Sequence, residues 1–146
     1  MRQVSKALTM AAAVVGAGML AAAPASAAPF WQPVSTTSNW HCGSTEKHAG
    51  SNNVLFQTCI VVSDSNTYAQ AVLVVRNNAS AAVNIEGSLT TNFGGGADCN
   101  SSKLNPGLVT GCFGPTIKVG SASPIYAYSD LKMNGISDRS TSITLV

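Results

Sequence analysis

Charge is scarce in this chain, with Asp, Glu, Lys and Arg supplying only 10% of the residues, and aromatic rings are scarcer at 6%. Histidine occurs twice, at His41 and His48, both ahead of the first strongly apolar segment. A Ser-His-Asp arrangement would have to recruit one of them, and no G-x-S-x-G elbow is present to receive it. No C-x-x-C or H-x-x-x-H pair occurs, and His41, Cys42 and His48 lack a matching downstream cluster, which argues against a metal site. The two histidines are therefore read as solvated loop residues. Gly94-Gly95-Gly96 has neither the spacing nor the following helix of a phosphate-binding loop. Asp130 and Asp138 could approach across a hairpin, but the carboxylates sit mostly in or beside turns and are read as solvated charge. These absences describe a protein that is not an enzyme and takes no metal or cofactor.

What is present begins with a leader. Arg2 and Lys6 precede an uncharged run of Ala, Val, Gly, Met and Leu from Ala7 to Ala23, then Pro24 and the small residues Ala25-Ser26-Ala27. That is the pattern of a cleavable signal peptide over 1–27, cut before Ala28 or one residue later. The run is too short and too weakly apolar to read as a membrane anchor. Cleavage would leave Lys47, Arg76, Lys103, Lys118, Lys132 and Arg139 against Glu46, Asp64, Glu86, Asp98, Asp130 and Asp138, a formally neutral chain. Without a basic stripe, no nucleic acid and no membrane partner is expected after cleavage, and the localisation expected is secreted, extracellular.

All four cysteines, Cys42, Cys59, Cys99 and Cys112, follow the leader. An even number in an exported chain reads as two disulfides. Of the three connectivities, Cys42 with Cys59 and Cys99 with Cys112 is favoured, because each pair brackets a polar, Gly- and Asn-containing stretch between candidate strands.

From Asn53 onward the pattern has period two or is continuously apolar and rich in β-branched residues, the signature of strands. Strands are expected at Val54–Ser63, at Thr67–Arg76 with apolar residues on both faces and hence central, and at Ala81–Asn92 with Ala81, Val83, Ile85 and Leu89 inward. A long loop is expected over Phe93–Gly107, carrying Cys99. Shorter strands follow at Leu108–Phe113, Pro115–Val119, Ile125–Met133 and Ser140–Val146, with Asn134-Gly135 as a turn signal. Many short strands and no convincing helix point to an all-β, antiparallel immunoglobulin-like sandwich over 41–146, with a small closed barrel as the alternative.

Residues 28–40 stand apart as an extended arm. They hold both tryptophans and two further prolines, and Phe30, Trp31, Val34 and Trp40 are the candidate partner-binding residues. Large rings are enriched at binding hot spots, and a proline-bearing extended segment suits addition to another protein's sheet edge or cleft. The alternative is that Trp40 packs under the sandwich while Phe30 and Trp31 tuck along its edge.

The leader ending PASAAP, the W-H-C start, the F-Q-T-C strand, the A-Q-A-V-L-V-V-R-N-N hairpin and the C-F-G-P-T segment resemble the small secreted four-cysteine proteins of Streptomyces and related actinobacteria. In size, cysteine count and arm-plus-domain layout the chain is similar to the adaptor subunit of umbrella toxin particles, which joins a lectin-bearing subunit to the toxin polypeptide. The resemblance implies that 28–40 inserts into one partner and the sandwich docks another. The expected function is thus a secreted non-enzymatic protein-binding or adaptor module whose partners are other secreted proteins. A secreted hydrolase inhibitor presenting Lys103-Leu104 from the Phe93–Gly107 loop is one alternative. A small carbohydrate-binding protein with Trp31, Trp40, Tyr126 and Tyr128 as sugar platforms is the other.

Overall fold

The computed structural model describes residues 28–120 and 124–146, so the expected leader lies outside the described residues. In chain order the strands are β1 (Trp31–Gln32), β2 (Trp40–Cys42), β3 (Glu46–His48), β4 (Ser51–Val62), β5 (Tyr68–Asn77), β6 (Val83–Thr91), β7 (Ala97–Leu104), β8 (Val109–Phe113), β9 (Ile117–Lys118), β10 (Ile125–Met133), β11 (Ile136–Arg139) and β12 (Ile143–Leu145). No helix occurs among the described residues.

Two sheets form, both antiparallel throughout. The first runs β1-β8-β5-β4-β2, with β3 also on β4 and β9 also on β5; the second runs β11-β10-β6-β7, with β12 also on β10. The chain makes a hairpin in the first sheet (β4, β5), crosses for a hairpin in the second (β6, β7), returns as β8 beside β5, and crosses again as β10 beside β6. That interleaving is the Greek-key order of an immunoglobulin-like sandwich, with β4-β5-β8 facing β11-β10-β6. The sheets stay open at their edges, so the closed-barrel alternative falls. In this scheme β1 fills the place that the fourth strand of the first sheet takes in immunoglobulin domains.

Alternation along each strand decides which side chains enter the core. On β5, Ala69, Ala71, Leu73 and Val75 face the second sheet, where they meet Val83, Ile85, Leu89, Leu131 and Met133. Val72 and Val74 point the other way, into a smaller apolar cluster with Val34, Trp40, Val61 and Phe113. The strand is central, between β4 and β8, and both its faces are covered, which accounts for its nearly continuous apolar run.

The two disulfides are Cys42–Cys59 and Cys99–Cys112. The first joins directly paired residues of β2 and β4, with Cα atoms 4.0 Å apart, inside one sheet. The second, with Cα atoms 6.0 Å apart, bridges β7 of the second sheet to β8 of the first.

Three expectations need correction. The Phe93–Gly107 loop contains strand β7, because Cys99 and Leu104 are buried anchors and β6 offers a free edge. Its polar sequence, ADCNSSKL, carries little strand propensity of its own, and pairing supplies the order. The final strand expected over Ser140–Val146 shrinks to β12 (Ile143–Leu145), and an unexpected strand, β11 (Ile136–Arg139), precedes it on the same edge of β10, the two separated where the Ser140 side chain turns inward. His48 is buried, not solvated: one ring nitrogen, Nε2, lies 3.0 Å from the Leu131 carbonyl, and Nδ1 accepts from the Gly50 N–H at 2.9 Å. His41 is exposed and lines a cleft of about 540 Å³ at one end of the sandwich.

The core is not wholly apolar. Thr58, Ser129 and Ser140 join their hydroxyls at 2.5 and 2.6 Å, linking β4 to the second sheet. Asn77 uses its amide on the carbonyls of Ala81 (2.9 Å) and Leu104 (3.0 Å) and accepts from Ala79 N–H. Among the described residues no buried side-chain polar atom lacks a partner, so these groups offset their desolvation cost.

Candidate functional site

The most distinctive construction is the N-terminal segment. Pro29 and Pro33 carry no backbone N–H, so ladder pairing between them is confined to Trp31 and Gln32, which oppose Cys112 and Gly111 of β8. Before that pairing, the chain touches the other sheet: Asn100 of β7 donates its backbone N–H to the Pro29 carbonyl (3.2 Å) and its side-chain amide to the Ala28 carbonyl (2.9 Å). Trp31 completes the link, its indole Nε1 donating to the Asn100 carbonyl at 2.6 Å. Residues 28–32 thus close the seam between β7 and β8, directly over the Cys99–Cys112 bridge.

Trp31 is partly buried and packs against the main core. A methyl group on Gly87 would make ordinary contact with its ring at 3.8 Å but would press on the Leu73 side chain at 2.6 Å and the Asp130 carbonyl at 3.0 Å, so the missing side chain at Gly87 makes room for Leu73.

Beyond Gln32 the chain crosses the outer face of the first sheet to reach β2 at the opposite edge. Val34 sits above Gly111, where an added Cβ would stand only 2.6 Å from its Cγ2. Trp40, on β2, meets Phe113 of β8 edge-to-face with ring centroids 5.8 Å apart. The strap 33–39 and these rings cover Val72 and Val74, which would otherwise present an apolar patch to water.

The structure therefore separates the four arm residues. Val34 and Trp40 share the outer cluster, Trp31 plugs the seam, and Phe30 projects outward with 71% of its surface exposed. Asn100, which takes three contacts from the arm, carries no sequence signal beyond its place next to Cys99; it lies in an Asn-Ser-Ser triplet that resembles turn chemistry. The buried hydroxyl trio was equally silent in the sequence.

The other candidate groups are dispersed. Lys103 is paired with Asn84 in the β6–β7 ladder and Leu104 is buried, so the bond between them is not presented to a protease. Tyr126 and Tyr128 lie on the outer face of the second sheet, but Trp31 and Trp40 are packed elsewhere, and the Arg139 guanidinium already covers the Tyr128 ring at 4.7 Å. Asp130 binds Arg139 through both carboxylate oxygens at 2.8 and 3.2 Å, while Asp138 opposes Leu131 and accepts from Ala49 N–H at 2.7 Å. The two carboxylates do not form a pair. The Asp130 hydrogen bonds and charge hold the Arg139 guanidinium above its ordinary value. On the same face Lys132 bonds Glu86 at 2.5 Å and, with Ser101, holds that carboxyl below its usual range.

Comparison with models of known protein families gives no match, and comparison with curated protein sequences gives none. Fold and site together define a disulfide-bridged immunoglobulin-like sandwich sealed by its own N-terminal strap.

Proposed function

We propose that this is a secreted, non-enzymatic protein-binding or adaptor module whose partners are other secreted proteins, engaged through the N-terminal arm. Two disulfides, and the absence among the described residues of a helix long and apolar enough to cross a membrane, are compatible with an extracellular protein. The observation that carries the reading is Phe30: a large ring left 71% exposed between Pro29, whose carbonyl is bonded to Asn100, and Trp31, which is paired with Cys112 and bonded to Asn100. An ordered, exposed aromatic ring loses little entropy on docking and suits insertion into an apolar pocket. Pro29 and Pro33 deny the arm the N–H groups of a long added strand, so the ring supplies the affinity, while Trp31, Val34 and Trp40 position it. Joining subunits of an extracellular toxin complex is the specific role that the resemblance to umbrella-particle adaptors suggests.

The test is recovery of secreted proteins from culture medium with the mature chain, with Phe30→Ala, and with a chain lacking Ala28–Thr37. A hot-spot ring contributes about 2 kcal/mol, roughly a 30-fold change in affinity. Phe30→Ala is expected to lose the partner at unchanged melting temperature. Equal recovery by all three proteins would remove the arm from the binding site.

A further inference from the structure

The two sheets are tied together along both sides of the sandwich. On one side Trp31 and the Cys99–Cys112 bridge close the seam. On the other, Thr141 N–H donates to the Glu46 carboxylate at 2.8 Å, Ala49 N–H donates to Asp138 at 2.7 Å, and the His48 ring reaches the Leu131 carbonyl. Those ties involve β3 and stop short of the end of the sandwich where β10 begins. There, among the described residues, no hydrogen bond joins His41, Val62, Asn66 and Val119 at the end of the first sheet to Ile125 and Leu145 of the second. The walls part around the cleft of about 540 Å³ that these six residues line.

We propose that this cleft binds a small uncharged amphiphile, an aliphatic chain ending in a hydroxyl or similar hydrogen-bonding group. Val62, Val119, Ile125 and Leu145 are half-buried and pack directly on the main core, so the cleft is an unfilled extension of that core. An apolar chain placed there removes water from all four side chains. Among the described residues no Trp, Phe or Tyr lines the cleft, whereas Trp31 occupies the seam at β7 and β8. Its volume and its aliphatic walls with a few polar groups are those of small-molecule sites. The polar groups are His41 and Asn66. Alternation on β2 turns His41 away from Trp40 and Cys42 and so toward the second sheet, while Asn66 stands in the turn after β4. No Asp, Glu, Lys or Arg is among the described lining residues, so nothing there offsets the desolvation of a charged ligand. The inference uses neither Phe30 nor the arm and stands apart from the partner-binding reading.

Titrating the isotope-labelled mature protein with straight-chain alcohols from hexanol to decanol, followed by methyl NMR, tests it. Saturable shifts are expected at the methyl groups of Val62, Val119, Ile125 and Leu145. Affinity is expected to rise by up to about fourfold per added methylene and to level off once the cleft is full. Decanoate and decylammonium are expected to bind about tenfold or more weaker than decanol, because each must shed water from its charge. Leu145→Lys, on a short edge strand, is expected to abolish decanol binding at unchanged melting temperature. If that variant does not fold, the shifts and the chain-length series in the intact protein decide. The proposal is overturned by the absence of saturable shifts at the cleft, by shifts centred on the outer cluster of Val34, Val72 and Val74, or by a charged chain that binds as tightly as decanol. Phe30→Ala is expected to bind decanol unchanged while losing its protein partner, so the two readings fail separately.

Discussion

Gly111 sets the path of the strap. Its backbone pairs with Gln32 on one side and Val74 on the other, and a Cβ there would press on Val34 at 2.6 Å, Phe113 at 3.0 Å and Val72 at 3.3 Å. Gly111→Ala is therefore expected to lower stability by about 1–3 kcal/mol, the range for overpacking a filled site. Val34→Ala in the same chain removes the closest atom, so the double variant should lose less than the two single losses summed. Urea titration of the four proteins measures that coupling. His48 shows a different residue-level effect: a titratable ring is held by one backbone carbonyl and one backbone N–H, in a core position where a loop residue was expected. Nothing in the residues around it, Lys47 and Ala49, marks it as buried, because the burial comes from β10 folding over it.

Strands here owe their existence to different causes. β5 and β6 were legible because alternation and β-branching act within the strand itself. β7 was not, since five of its eight residues are polar or charged, and what orders it is the ladder to β6, the bridge at Cys99 and the burial of Leu104. β6 and β10 are joined on their outer face by Glu86 and Lys132, which oppose each other in the ladder. The lowered Glu86 value means the folded state prefers the ionised carboxylate. Its contribution is full above the ordinary carboxyl range, about 4.3, and is lost as the pH falls through the lowered folded value. Comparing the wild type with Glu86→Gln across that window should show a small wild-type advantage at neutral pH that vanishes in acid. High salt is expected to reduce it as well, since both groups face solvent.

At the scale of the molecule, the two disulfides close loops of similar length, 17 and 13 residues apart in sequence, so chain entropy alone assigns each about 3 kcal/mol. Their surroundings differ. Cys42 is exposed at a sheet edge, whereas Cys99 and Cys112 are both buried beneath Trp31 where the sheets meet. Replacing Cys99 and Cys112 by Ala is expected to cost more than replacing Cys42 and Cys59, because the buried pair also leaves a cavity and loosens the seam. Thermal unfolding of the two double variants checks the order.

The class of fold, the presence of two disulfides and the central place of β5 follow from the residues alone, because alternation, cysteine number and local turn chemistry act over short stretches of chain; which of the three cysteine pairings forms is decided by the packed sheets. The destination of the arm does not. Its prolines and rings describe an extended apolar segment, and such a segment fits another protein's cleft as well as its own. Only the meeting of Asn100, Gly111 and Gly87, brought together from β7, β8 and β6, seats the arm: Asn100 accepts the Trp31 indole, Gly111 leaves room for Val34, Gly87 leaves room for Leu73, and Phe30 stays outside. Those three positions are distant in sequence and carry no shared pattern, so the seam they form exists only once the sheets have packed.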